Sequence, residues 1–188
     1  MRTNAALGEG MPAQFMTRDF QGLRIQVESD YGFEEVVRRL HEQTGRTTIG
    51  EIAALAATAS SSEDFHKDVT QRFVGASGFM IFAEFDHGGW IGRYGINRRV
   101  LRVILGNPLI AITLMRHDIS TGLFAPVEIL LVDHESGPGS TVHYVRPSTL
   151  MLIDGNPELA SAASELDRKL DLLISNITGL GSHKSARA

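Results

Sequence analysis

Phe79-Met80-Ile81-Phe82-Ala83-Glu84-Phe85 and Val100-Leu101-Arg102-Val103-Ile104-Leu105, the second closed by Gly106-Asn107-Pro108, decide how this chain folds. Both runs are rich in aromatic or branched apolar residues, which pack well on a pleated surface, and each ends at a turn signal, so each reads as a strand. Between them the glycine-rich stretch 87–94 reads as a short helix or turn. Pro108 opens a helix over 109–116, because proline lacks an N–H that a first helical position does not need. Residues 127–132 and 141–145 flank Gly137-Pro138-Gly139, a turn signal that makes them a hairpin. Residues 79–147 are therefore the core of one domain.

Outward from that core, Leu23-Arg24-Ile25-Gln26-Val27 alternates apolar and polar, the period of a half-buried strand. Phe33, Val36, Val37 and Leu40 follow at helical spacing, with Gly45 as the stop. Residues 46–78 read as two short helices, one with Ile49, Ile52 and Leu55 on a face, the next started by the capping-box spacing of Ser60 and Glu63. Phe65, Val69 and Phe73 give that second helix one apolar stripe, so the pair is expected to lie across the body or against a partner chain. The last helix is capped by Asn156, continues through Pro157, Leu159, Ala163, Leu166, Leu170, Leu173 and Ile177, and ends at Gly179. The fold class expected is α+β, in the order β-α-β-α-β-α-β-β-α. An antiparallel or mixed sheet of about five strands is backed by helices on one face, with a helical hairpin inserted at 46–78. The single domain spans 23–180, behind a loose leader at 1–22 that Phe15 and Phe20 can pin, and before a flexible tail at 181–188.

A length of 188 residues suits one decorated core rather than two. The net charge of -4 supplies no field for nucleic acid or an anionic membrane. The absence of cysteine removes disulfides, thiolate nucleophiles and cysteine-held metals at once. Residues 1–22 carry Glu9 and Asp19 without a continuous apolar segment, and the apolar run at 108–115 is too short to span a bilayer. A cytoplasmic location is expected.

Asp86-His87 after a strand, Gly106-Asn107-Pro108 after the next, Leu114-Met115, Pro126 before the hairpin and Tyr144-x-x-Pro147 at its end fall in one order. That series resembles the uncharacterised bacterial and archaeal family called domain of unknown function 302. The resemblance implies a compact α+β fold, an antiparallel sheet backed by helices, and frequent dimers. It implies no activity. The chain departs from the family pattern in four places. Segment 46–78 is extra, Arg98 lacks a following proline, Ala125-Pro126 stands for Leu-Pro, and Gly88-Gly89-Trp90 replaces an alanine-rich helix start.

Five residues are candidate ligand contacts: Asp86, His87, Arg98, Asn107 and Tyr144. If the strand ends between them, Asp86 and His87 can share a site, with His87 as general base and Asp86 orienting it. The competing reading has Asp86 cap the next helix and His87 pack beneath it. Asn107 is either a helix cap or part of an anion pocket with Arg98. Tyr144 is expected to pack its ring on the sheet with the hydroxyl at the rim. His134 and His143 lie on the two hairpin arms and can approach each other, but no ligand spacing for a metal is present. Walker, Gly-x-Ser-x-Gly and dinucleotide glycine motifs are absent, and no cofactor is expected. The leading expectation is a small-ligand-binding domain, with an anionic ligand among the options, working as a homodimer. An enzyme built on His87 and Asp86, and an interaction module built on 46–78, are the rivals.

Overall fold

A computed structural model describes residues 16–152 and 155–181. Six strands form one sheet: β1 (Arg24–Ser29), β2 (Gly45–Arg46), β3 (Met80–Asp86), β4 (Val100–Gly106), β5 (Val127–Asp133) and β6 (Ser140–Val145). Their spatial order is β1-β6-β5-β4-β3-β2, antiparallel except for the parallel pair β2 and β3. Seven helices accompany them: α1 (Phe33–Gln43), α2 (Ile49–Thr58), α3 (Ser62–Phe73), α4 (Gly88–Ile91), α5 (Pro108–Met115), α6 (Pro147–Met151) and α7 (Pro157–Thr178). None is long and apolar enough to cross a membrane. Most of the leader and tail, including Phe15, lie outside the described residues. Phe20 does reach the body, its ring edge-on to Phe124 at 5.9 Å between centroids.

The main core is the sheet face turned toward α1 and α7. Across the strands, Val27, Val142, Leu131 and Leu101 stand in one row, and Ile25, Tyr144, Ile129 and Val103 in the next. Against them α7 lays Leu159, Ala163, Leu166, Leu170, Leu173 and Ile177, and α1 lays Val36 and Leu40. The helix forms where the sequence signals it. The Asn156 side chain accepts from the Leu159 N–H at 3.0 Å, and Gly179 ends the helix in the left-handed region at φ 71°.

A second, smaller cluster joins Leu55, Val69 and Phe73 of the α2–α3 hairpin to Met80, with Phe82 and Leu109 against it. The hairpin's stripe is thus buried on its own chain. Ile49 does not join it and is 74% exposed. The capping expectation also shifts. Ser61, not Ser60, caps α3, while Thr48 and Glu51 form a complete capping box on α2.

The sixth strand, β2, replaces the expected simple stop at Gly45. Thr44 ends α1, and the chain then passes so close to the exit of α3 that no side chain fits between the two backbones. A Cβ on Gly45 would stand 1.7 Å from the Phe73 carbonyl oxygen, and one on Gly75 2.3 Å from the Gly45 nitrogen. The N–H groups of Gly45 and Gly75 both donate to the Phe79 carbonyl at 3.0 Å, which ties the hairpin to the sheet edge. Gly45→Ala should therefore cost at least about 2 kcal/mol, since main chain rather than a movable side chain must give way. Urea unfolding reads this as a lower midpoint at unchanged slope, and an unchanged midpoint would show that the crossing tolerates a methyl group.

Candidate functional site

The five sequence candidates fall at three separate places. β3 ends at Asp86, whose carboxylate accepts the Gly89 N–H at 3.0 Å, and this is the helix-starting use of that residue. The His87 ring accepts from the Trp90 indole N–H at 3.2 Å and packs edge-on to it, 5.9 Å between centroids. The adjacent pair therefore spends its polar groups on different partners. Arg98 lies at the same end but is held by Asp133, with Nε to the carboxylate at 2.9 Å and a further bond to the Asp133 carbonyl oxygen. Burial would push the Asp133 carboxyl up, but the bonds from Arg98 and the Arg99 N–H outweigh it and hold it below its usual value.

Asn107 sits at the opposite end of β4. Its Oδ1 accepts from the Leu109 N–H at 2.8 Å, and its Nδ2 donates to the Gly78 carbonyl at 2.9 Å. Tyr144 faces α7, where its hydroxyl donates to Asp171 at 2.6 Å. Burial, then that carboxylate, pushes the phenol well above its ordinary range. His134 and His143 do not meet. His134 leaves the hairpin turn to pair with Glu28 at 2.9 Å, while His143 stands opposite Leu130 in mid-sheet.

One cluster had no sequence signal. A bulge between Ile81 and Ala83 inverts the alternation of β3, so Glu84 pairs with Val103 on the helix-bearing face instead of turning outward. There its carboxylate meets His41 of α1 and Arg46 of β2, each at 2.7 Å. The Arg46 guanidinium also lies 2.8 Å from the same His41 nitrogen. Burial alone would raise the Glu84 carboxyl, but the bonds from His41 and Arg46 prevail and its pKa is lowered. The three groups tie α1, β2 and β3 together at the sheet edge.

Open space lies elsewhere. A cavity of about 190 Å³ opens between the end of β4, α5 and α7. Phe79, Leu114, Val127 and Leu166 form its buried floor, and Phe82, Pro108, Ala111 and Pro126 stand nearer solvent. Among its lining residues only Asn107 has a polar side chain, and that side chain is already bonded on both ends. No group of three or more metal-ligating side chains occurs among the described residues.

The model for Domain of unknown function DUF302 matches residues 54–177, a span that includes the sheet from β3 onward, the cavity and α7. The chain belongs to this family. Among solved structures, an uncharacterised conserved DUF302 protein from Bacillus stearothermophilus is similar, at 14% identity and a TM-score of 0.56. The likeness covers 82% of this chain and 97% of that one, and at this identity it speaks for the fold. No curated protein matches. The DUF302 match begins inside α2, so most of the hairpin lies within the matched span.

The lowered pKa of Glu84 fixes the sign of a pH effect. A carboxyl whose folded pKa is depressed adds stability that is fully present above its ordinary value of 4.5 and fades as pH falls through the lower folded value. Glu84→Gln should therefore lower stability at pH 7 and flatten its decline below pH 4.5, seen by urea midpoints across that range. Parallel curves for the two proteins would show that the cluster contributes nothing to folding.

Proposed function

We propose that this DUF302 domain binds a small, largely apolar ligand in the cavity beside α5. The carrying observation is the lining: a 190 Å³ space walled by Phe79, Phe82, Leu114, Pro126 and Leu166, with no titratable side chain facing it. Apolar cavities of about this volume stay dry and accept benzene-sized guests, because water finds no partners there. The absence of an acid, base or nucleophile in the wall favours binding over catalysis at this place. Asn107 acts from the rim by holding the start of α5, and its amide fixes the wall rather than the guest.

Toluene titrated into the labelled protein should shift the amide signals of Gly106, Ile110, Leu114 and Val127 in saturable fashion. Ala111→Phe, at a half-buried rim position, should abolish the shifts and leave the melting temperature close to wild type. Linear, unsaturable changes spread over the molecule would remove the proposal.

A homodimer through the other sheet face is part of the same reading. There Ala83, Val100, Ile104, Leu130 and Val132 are half-buried and Phe85 is 47% exposed, apolar groups set around the ion pair of Arg102 and Glu128 on the side away from α1 and α7. Arg24 and Glu28 stand at opposite ends of the exposed side of β1, so antiparallel self-pairing would set unlike charges against each other. Light scattering should give twice the chain mass for the wild type and the chain mass for Leu130→Glu. A wild-type monomer at working concentration would sink the claim.

A further inference from the structure

A second hollow adjoins the cavity. A groove of about 710 Å³ runs between α3 and α5, and it shares Pro108 and Ala111 with the cavity wall. These two small residues form the ridge of α5 that separates the spaces, so the ridge is low. The groove lining is largely apolar, with Phe65, Leu109, Ile112 and Met115, but it also holds two side chains of basic type. They are His66 from α3 and Arg116 from the end of α5. Arg116 is exposed, and its Nε donates to the Ile112 carbonyl of its own helix at 3.3 Å. Among the described residues no carboxylate pairs with its guanidinium, although Glu63 and Ser62 also line the groove. Glu63 is occupied at the start of α3, where it accepts the Ser62 hydroxyl at 3.2 Å. Its carboxyl is held below the usual range by its own backbone N–H first and by Ser62 second.

We infer that cavity and groove together hold one single-chain amphiphile, an alkyl tail in the cavity and a carboxylate head at Arg116, with His66 in the same groove. This rests on the reading of the cavity as a ligand site. Ala111 and Arg116 stand about 7.5 Å apart along the axis of α5, a span that a medium-length alkyl chain crosses. The apolar groove floor covers the middle of the chain, and a planar guanidinium matches a carboxylate in two parallel hydrogen bonds. The α2–α3 hairpin then has a role in the site, because Phe65 and His66 build the wall that α5 alone lacks.

Calorimetry with octanoate, octanol and toluene separates the layers. Octanoate should bind about tenfold more tightly than octanol, the discrimination of one charge-assisted contact at a partly exposed position. Arg116→Ala should bring octanoate down to the octanol level while leaving toluene binding unchanged, and Arg116→Lys should keep part of the preference. Arg116 is exposed, so neither variant endangers folding. Equal affinities for octanoate and octanol, or an unaltered octanoate affinity in Arg116→Ala, overturn the inference. Toluene binding without octanoate binding also overturns it but leaves the cavity reading standing, whereas failure of toluene takes both away.

Discussion

The burial of one face of α7 against the sheet is the constraint on which the rest of this molecule depends. Leu159, Ala163, Leu166, Leu170, Leu173 and Ile177 recur every three or four residues, so a single helix seals the middle of the sheet. Each large side chain buried this way contributes about 1.5–3 kcal/mol, far more than any ion pair on the surface. The polar side of the same helix then organises its neighbours. Asp167 accepts the Ser148 N–H at the start of α6, and Asp171 takes the Tyr144 hydroxyl and the Arg146 guanidinium. The Thr178 carbonyl accepts from Ser29, which ties the end of α7 to β1. Leu166 belongs to both worlds, as a core residue and as part of the cavity floor.

The cavity exists because two apolar clusters meet without fusing. Phe79 and Met80 are consecutive and point to opposite sides, Phe79 into the main core and Met80 into the hairpin cluster. At that seam the chain carries Gly106, Pro108, Ala111 and Ala125, which are too small to fill the space between Phe79, Phe82 and Leu114. An unfilled apolar space forfeits dispersion contacts and lowers stability. At Gly106 the volume is not free to grow, since a Cβ there would lie 3.0 Å from Pro126. The hollow follows from backbone proximity as much as from side-chain size.

Elements whose signals are local were legible in the sequence. Asn156 and Gly179 bracket α7, Asn107 and Pro108 open α5, and Gly137 and Gly139 take the positive φ values that the hairpin turn needs. β2 was not legible, because two residues make a strand only where Gly45 and Gly75 let backbones touch. Asp86, His87, Arg98 and Asn107 lie at or near strand ends while Tyr144 lies within β6, and what several of them do there depends on partners far away in sequence. Arg98 is taken by Asp133, Tyr144 by Asp171, and Asn107 reaches back to Gly78. Glu84 was invisible for a different reason: simple alternation turns it outward, and only the bulge in β3 brings it to His41 and Arg46. The cavity left no motif at all, since a run of small residues is the same pattern whether the space beside it is filled or empty.

The distribution of polar groups therefore argues about function by subtraction. Side chains that looked chemical in sequence are committed to caps, sheet edges and the underside of α7, where they satisfy backbone donors or each other. Beside the open space stands the Arg116 guanidinium at the end of α5, with which no carboxylate among the described residues pairs. A wall without polar groups selects by size and shape, and distinguishes guests differing by one methylene only weakly. A single cation at the far end adds a directional preference that shape cannot supply. Discrimination in such a site resides in the distance between tail pocket and head group, and α5 sets that distance. On the proposed reading, the capping of α5 by Asn107 is the point at which a structural residue sets the geometry of binding.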